Sequence, residues 1–261
     1  MSDSPFLLRS DDAGVTTLTL DRPQSRNSLS LGMLRAMAEA LAGIAADEAV
    51  RVVIIAGSGP AFCAGHDLKE LRASGYDPDY IDALFAACAE VMLAIVRLPK
   101  PVIARVHGIA TAAGAQLVAS ADLAFAADDA RFATPGVNIG LFCSTPMVAL
   151  SRNVAPKQAM QMLLTGELID AATALRFGLV NELAPLAELE ARTLAFARKL
   201  AAKSPLTLAI GKEAFYRQAE LPLAEAYDYT RAVMATNLRA QDAREGIAAF
   251  LDKRPPLWCG R

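Results

Sequence analysis

The sequence predicts an α/β fold with parallel strands, because short apolar runs alternate with segments of helical periodicity. Residues 52–55 (VVII) and 102–106 (VIARV) are continuous enough in apolar character to be strands buried on both faces. A long helix is predicted between them over residues 79–98, and it ends before Pro99 and Pro101. Strand–helix–strand alternation of this kind implies parallel pairing through crossover helices.

The first elements of the chain follow the same pattern. Residues 15–20 (VTTLTL) are β-rich and stop before Pro23, since proline cannot continue a strand ladder. Ser28 or Ser30 can cap the helix that comes next. That helix is predicted from apolar residues at helical spacing, namely Leu31, Leu34, Met37, Leu41 and Ile44.

The second half of the chain changes character. A helix of small residues around 112–120 and a strand over 123–126 complete the alternating part. From Pro146 onward the sequence shows essentially no strand pattern, and four or five helices are predicted, including residues 183–203 and 224–237. The prediction is therefore a β/α core followed by a helical C-terminal region.

Size and charge exclude some functions. The 261 residues and 27.6 kDa fit one large domain, or one domain with a helical appendage. With a net charge of −2 and a pI of about 5.8, the chain lacks the excess positive charge that binds a nucleic-acid phosphate backbone. Nucleic acid is therefore not an expected partner.

The composition predicts a cytoplasmic protein with no membrane partner. The N-terminus has neither a basic start nor an apolar stretch typical of a secretory signal. Residues 108–128 have no Lys, Arg or Glu but contain Gln116 and Asp122, which favours packed core over a membrane span. Four cysteines without C-x-x-C spacing are typical of free thiols in a reducing compartment. With only two histidines, a histidine-rich metal site is excluded, and no metal is predicted.

Two glycine-containing turns are the candidate site. The first glycine turn, residues 62–70 (FCAGHDLKE), and the second glycine turn, residues 107–117 (HGIATAAGAQL), each lead into a predicted helix. Each therefore offers unpaired N–H groups at a helix N-terminus. Two such donors aimed at one point would form an oxyanion hole, in which one donor typically contributes about 10²–10³ in rate. Ordinary strand-to-helix turns are the alternative, and neither segment matches a Walker or dinucleotide motif.

Taken together, the motifs resemble those of the enoyl-CoA hydratase/isomerase (crotonase) family over nearly the whole chain. The resemblance implies a crotonase (ClpP-like) β/α spiral core over residues 1–195. It also implies a C-terminal helical region, residues 196–261, that packs on a neighbouring subunit in a trimer or a dimer of trimers. The motifs are LDRP at 20–23, RNSL at 26–29, AGHDLKE at 64–70, KPVIA at 100–104, HG at 107–108, Asp122, RF at 131–132, Gly140, LTG at 164–166, AATAL at 171–175, GLV at 178–180, FL at 250–251 and KRP at 253–255.

The resemblance also assigns roles to residues. His66 and Ala113 occupy the two oxyanion-hole positions and would act through their backbone N–H groups, so the side chain there is not restricted. Arg26 is either a contact for the coenzyme A diphosphate or a surface charge. Coenzyme A enters as part of the thioester substrate, and no separate cofactor is expected. The family's loop meets adenine and pantetheine at Ala64, His66, Asp67, Leu68 and Lys69, of which Asp67 is also a predicted helix cap.

Two departures from the family pattern matter most. Gln116 stands where a hydratase has its first glutamate, and Gly136, after Pro135, stands where it has the second. An amide cannot take up a proton at neutral pH, and glycine has no side chain, so little hydration by the standard route is expected. We expect Gln116 to line the pocket and Gly136 to leave room for water or a small anion. Cys143 is predicted to be a buried, inert thiol; as a nucleophile it would need His66 as its base.

Three functions stay open on the sequence. The first is a conventional enoyl-CoA hydratase or isomerase. The second is other thioester chemistry that stabilises an enolate and uses a substrate-borne or bound carboxylate, or bicarbonate, as the base. The third is a non-catalytic acyl-CoA binder.

Overall fold

The computed structural model describes residues 6–261, which form two sheets surrounded by eleven helices. The larger sheet has six strands in the order β1-β2-β3-β4-β6-β9, and the smaller has three in the order β5-β7-β8. The strands are β1 Leu7–Asp12, β2 Val15–Leu20, β3 Val52–Gly57, β4 Val102–Val106, β5 Ile109–Thr111, β6 Leu123–Ala127, β7 Arg131–Ala133, β8 Ile169–Asp170 and β9 Glu182–Ala184.

The larger sheet confirms the predicted parallel arrangement. All of its neighbouring strands pair in parallel, except β1 and β2, which form an antiparallel hairpin. In its centre, Ile54 of β3 pairs with Ile103 of β4, and both side chains are fully buried. Helices cover this sheet, so continuous apolar runs are what its central strands require.

Two short strands, one in each sheet, correct the prediction that no strand follows Pro146. β8 and β9 both lie beyond that residue, and β5 and β7 were also missed. These strands have only two or three residues each, too few to show an alternating pattern. Pairing with residues far away in the chain, such as Phe132 with Ile169, is what defines them.

Local capping signals fix several helix starts as predicted. The Ser30 hydroxyl accepts the Met33 N–H at 3.1 Å, and the Asp67 carboxylate accepts the N–H groups of Lys69 and Glu70. The helices are α1 Leu31–Ala46, α2 Leu68–Ala73, α3 Pro78–Arg97, α4 Ala113–Ser120, α5 Ser144–Asn153, α6 Pro156–Thr165, α7 Ala171–Phe177, α8 Leu186–Ala201, α9 Pro205–Gln218, α10 Leu223–Arg239 and α11 Gln241–Leu251.

The C-terminal helices differ in what they pack against. α8, which contains residue 195, packs against β3, β4 and β6, so it belongs with the sheet. Helices α9, α10 and α11 pack mainly on one another. The division of the chain near residue 195 stays a prediction, and in the structure the helices that leave the sheet begin with α9.

A buried ion pair ties α9 to the core. The Lys212 ammonium lies 2.7 Å from the Asp122 carboxylate and also donates to the carbonyls of Ile95 and Lys100. Tyr216, one helical turn later, donates to the other oxygen of Asp122 at 2.9 Å. Burial lowers the pKa of Lys212, and the neighbouring Asp122 partly offsets that effect. The charge on Lys212 is therefore held in place by complete hydrogen bonding.

Replacing Lys212 by methionine is expected to lower the free energy of unfolding by about 3–5 kcal/mol, because Asp122 would remain buried without its cation. Urea unfolding at fixed protein concentration measures the change. Lys157→Met, at an exposed lysine on α6, is the control and should stay within about 0.5 kcal/mol. A loss under about 1 kcal/mol for Lys212→Met would mean that desolvation cancels the ion pair.

The late helices also present apolar side chains to the outside. Leu223 is 75% exposed and Met234 is 64% exposed, as expected for a surface that another subunit covers. Ala226, expected on the same surface, is instead buried. No helix within residues 6–261 combines the length and apolar character needed to span a membrane.

Candidate acyl-CoA site

The first glycine turn is held by the chain that precedes α1. The Leu29 N–H donates to the Gly65 carbonyl at 2.8 Å, and the Asp67 N–H donates to the Leu29 carbonyl at 3.2 Å. Neighbouring residues of an extended segment point their backbone groups to opposite sides, so the N–H of His66 points away from Leu29. It has no acceptor within residues 6–261.

The second glycine turn places a matching donor at the start of α4. Ala113 is the first residue of this helix, so its N–H has no intrahelical acceptor, and it bonds to nothing else among the described residues. Just before it, the Ala112 N–H donates to the Ala133 carbonyl at 2.9 Å. Ala112 has φ 51° and ψ −118°, a conformation that alanine adopts only with strain of about 1–3 kcal/mol. The strained residue therefore lies directly before Ala113, whose N–H is the second donor.

The two turns touch at Gly65. A Cβ added to Gly65 would lie 2.9 Å from the Ala112 Cβ and 3.4 Å from the Ala113 nitrogen. Because His66 follows Gly65 directly, its N–H and that of Ala113 belong to the same small region. The structure thus brings together the two donors that the sequence assigned to separate motifs.

Close backbone contact locks the turns to each other. The Cys63 N–H donates to the Ile109 carbonyl, and the Cys63 carbonyl accepts from Thr111, at 3.1 and 3.0 Å. A Cβ at Gly114 would lie only 2.1 Å from the Cys63 oxygen, so that position requires glycine.

Asn27 positions the neighbouring loops. Its side chain is fully buried, with Oδ1 accepting from the Arg22 N–H and Nδ2 donating to the carbonyls of Ser58 and Ala61, each at 2.8 Å. The sequence placed Asn27 in a family motif but gave it no role. Its role depends on residues more than 30 positions away, which no local pattern indicates.

Helix α3 lies over both turns. The His66 ring meets the Phe85 ring edge-on, with centroids 5.1 Å apart, and the Cys88 thiol lies 3.9 Å from the Gln116 side-chain oxygen. Phe85 and Cys88 are three residues apart on one face of α3, so His66 and Gln116 lie under adjacent turns of that helix. Gln116, only 5% exposed, is therefore buried beneath α3, and its place in the pocket wall stays a prediction.

The groups under α3 are uncharged at neutral pH. Burial lowers the pKa of His66 to about 4, so its imidazole is neutral. Burial raises the pKa of the Cys63 and Cys88 thiols to about 12. Gln116 does not titrate. The groups beneath α3 are therefore poor proton acceptors.

The prediction of open space beside Gly136 is wrong. A Cβ at this position would lie 2.7 Å from the Leu141 oxygen and 2.9 Å from the Cys143 sulfur. The chain after the 3-10 turn Pro135–Ile139 folds back over Gly136, as the Leu141 N–H donating to the Gly136 carbonyl at 2.9 Å shows. Glycine is thus present because of close packing. Burial raises the pKa of Cys143, in keeping with an inert thiol.

A cleft of about 460 Å³ begins at these turns. Arg26 and Ala64 line it, and the exposed Arg26 side chain has no partner within residues 6–261. The other lining residues are Ile109, Thr111, Ala133, Pro135, Asn138, Gly166, Glu167 and Leu168. A second cleft of about 470 Å³ lies near Val50 and Pro101, where β3 and β4 begin, at the opposite end of the sheet from both turns.

The rest of the first glycine turn lies outside this lining. Asp67 accepts from the Ser28 hydroxyl at 3.1 Å and pairs with Arg22 at 3.3 Å, besides capping α2. Its carboxylate is therefore already bonded to other residues of the protein. Leu68 and Lys69 are both exposed on the first turn of α2.

Glu167 is a polar lining residue that the sequence reasoning missed. Glu167 directly follows the LTG motif at 164–166, which was used only to support the resemblance. A polar residue next to a motif glycine is a weak signal, and only the tertiary structure brings it into the cleft that begins at the glycine turns.

The parallel sheet, the spiral of crossover helices and the paired N–H donors define the crotonase class of α/β proteins. Solved structures agree with that description. The chain superposes on an enoyl-CoA hydratase from Mycobacterium smegmatis with a TM-score of 0.95 and 54% identity, covering 98% of this chain and 99% of the other. Human enoyl Coenzyme A hydratase domain-containing protein 3 gives a TM-score of 0.94 at 46% identity, covering 97% and 100%.

Sequence comparison leads to the family. Residues 10–261 match the family model described as enoyl-CoA hydratase/isomerase. The mouse mitochondrial enoyl-CoA hydratase domain-containing protein 3 is 47% identical over 94% of this chain and 81% of its own length. Carnitinyl-CoA dehydratase from Escherichia coli strain K12 is 35% identical over the full length of both. The chain belongs to the enoyl-CoA hydratase/isomerase family.

Proposed function

We propose that this protein binds an acyl-CoA thioester in the 460 Å³ cleft and polarises the thioester carbonyl between the N–H groups of His66 and Ala113. The observation that carries the proposal is that both N–H groups lack an acceptor among the described residues while Gly65 holds the two turns in contact. Donors in a complex of this type would lie about 2.7–3.1 Å from the oxygen.

The position of Ala113 favours an enolate over a neutral thioester. Ala113 opens α4, and the N-terminal end of a helix carries partial positive charge. The negative oxygen of an enolate gains more from that charge than a carbonyl oxygen does. Coenzyme A is proposed as part of the substrate, with the Arg26 and Lys69 side chains free to meet its phosphates. No separate cofactor or metal is proposed.

Standard hydration of an enoyl-CoA is expected to be slow. It requires positioned acid–base groups, each worth about 10²–10⁴ in rate, at the places where this chain has Gln116 and Gly136. The Gln116 amide cannot take up a proton, and packing closes the space beside Gly136. These two positions favour other thioester chemistry that stabilises an enolate, with a non-catalytic acyl-CoA binder as the remaining candidate.

Crotonyl-CoA turnover at high enzyme concentration, together with a butyryl-CoA binding titration, tests the proposal. Butyryl-CoA is expected to bind, and crotonyl-CoA to be hydrated at least about 10²-fold more slowly than by a family member with both glutamates, measured in parallel. Turnover equal to that of the reference enzyme would restore the conventional hydratase assignment. Absence of butyryl-CoA binding would defeat the acyl-CoA proposal.

We also propose that the protein is a trimer or a dimer of trimers, in which the exposed apolar residues of α10, such as Leu223 and Met234, meet a neighbouring subunit. Light scattering at micromolar concentration measures the mass, and a monomer would contradict the proposal. The cytoplasmic location stays a prediction; the names of the animal relatives place those proteins in mitochondria.

A further inference from the structure

The cleft contains a carboxylate that none of the assigned roles uses. Among the described residues that line it, Glu167 is the acidic one and Arg26 is the basic one. The Glu167 carboxylate makes no hydrogen bond or ion pair within residues 6–261, although its backbone N–H donates to Thr165 Oγ1 at 3.2 Å. It is therefore free to meet a ligand.

The backbone that carries Glu167 is fixed on both sides. Gly166 ends α6 with φ 63° and its N–H donates to the Met162 carbonyl at 3.1 Å. A Cβ at Gly166 would lie 3.2 Å from the Pro135 Cα, so this residue is pressed against the segment that carries Gly136. Two residues after Glu167, Ile169 pairs with Phe132 in the smaller sheet. A group on such a rigid support can be positioned reproducibly.

The cleft also reaches the two segments that carry the N–H donors. Ala64 and Thr111 line it, and the Thr111 hydroxyl donates to the Ala64 carbonyl at 3.1 Å. Each of these residues lies two positions before a donor, Ala64 before His66 and Thr111 before Ala113. Glu167 therefore lines the same cleft as two residues that closely precede the donor pair.

We propose that Glu167 is the general base that removes a proton from the α-carbon of the bound acyl-CoA, in place of the family glutamates that this chain lacks. This inference rests on the proposed function. The α C–H bond breaks, its proton moves to the Glu167 carboxylate, and its electron pair forms the enolate whose oxygen lies between the N–H groups of His66 and Ala113. The reverse step returns a proton to the same carbon.

Nearby alternatives to Glu167 are occupied or unsuited. The Asp67 carboxylate caps α2 and pairs with Arg22, and Glu70 Oε2 accepts the Leu31 N–H at 3.1 Å. The neutral His66 ring packs against Phe85, and burial makes it a weak proton acceptor. These contacts leave Glu167 as the available carboxylate of the cleft.

Exchange of the α-protons of butyryl-CoA in D₂O tests this role without knowledge of the natural substrate. Deuterium gain is followed by mass spectrometry, and binding by titration of the same compound. Glu167→Gln is expected to lower the exchange rate about 10²-fold with a change in butyryl-CoA Kd under about threefold, since a base acts in the chemical step. Glu39→Gln, at an exposed glutamate on α1, is the matched control and should exchange like the wild type.

A rescue experiment separates a base from a group that only positions the ligand. In Glu167→Ala, added acetate can enter the space left by the side chain and is expected to restore part of the exchange, whereas it should not help Glu167→Gln. Exchange by Glu167→Gln at the wild-type rate would overturn the proposal. So would a loss explained entirely by weaker binding, which would make Glu167 a positioning residue.

Failure of the proposed function gives a different result. A wild-type protein that does not bind butyryl-CoA would defeat the acyl-CoA site itself. A wild-type protein that binds butyryl-CoA but exchanges none of its α-protons would overturn the role of Glu167 and leave the acyl-CoA site standing.

Discussion

Replacing Ala113 by proline is expected to slow α-proton exchange of butyryl-CoA by about 10²–10³-fold, because it removes one of the two N–H donors to the enolate oxygen. Ala113 is the first residue of α4, where proline fits the helix and where no intrahelical hydrogen bond is lost. Exchange in D₂O and circular dichroism of the variant measure the effect and the integrity of the fold.

Ala112→Gly is the matched control for this proline variant. It keeps the Ala113 N–H and removes the strain of an alanine at φ 51°, so exchange should be retained and stability should rise or stay equal. Gly65→Ala is an independent test, since its Cβ would lie 2.9 Å from the Ala112 Cβ and would push the two turns apart. Folded Ala113→Pro and Gly65→Ala variants with wild-type exchange rates would contradict the paired-donor site.

Replacing Gln116 by glutamate is expected to raise crotonyl-CoA hydration about tenfold or more, because it places a proton-accepting group under α3, at the position where a hydratase has its first glutamate. The new carboxyl would be buried beside the neutral Cys88 thiol, which raises its pKa above that of an exposed glutamate. Only the ionised form acts as a base, so the gain should grow as pH rises through that pKa and vanish below it. Steady-state rates measured against pH follow both effects.

Gln116→Leu, which removes the polar group and keeps similar bulk, is the control for that variant and should show no gain. Adding a glutamate at Gly136 is not a useful companion change, since its Cβ would collide with Leu141 and Cys143. A folded Gln116→Glu protein that binds butyryl-CoA and shows no gain at any pH would mean that the site holds no productive water.

The sequence by itself determined the features that depend on short-range signals. β2 and β4 were predicted with their observed bounds, and α3 to within one residue at each end, because apolar periodicity and Pro99 act locally. Asp67 was predicted as a helix cap for the same reason. The family motifs also singled out the two glycine turns, which the structure brings together, while the roles assigned to His66, Ala113 and Gln116 stay predictions.

Only the tertiary structure decided the features that depend on residues distant in the chain. Gly65 reaches Ala113 across nearly fifty residues, and the short strands β5, β7, β8 and β9 exist only through their partners. The space expected beside Gly136 is filled by the segment that contains Leu141 and Cys143, and no local sequence pattern predicts that this segment folds back over Gly136. Glu167 entered the cleft because Gly166 packs against Pro135. Because the interior is closely packed, few side-chain positions are sterically allowed. Which positions are allowed depends on neighbours that are distant in the sequence.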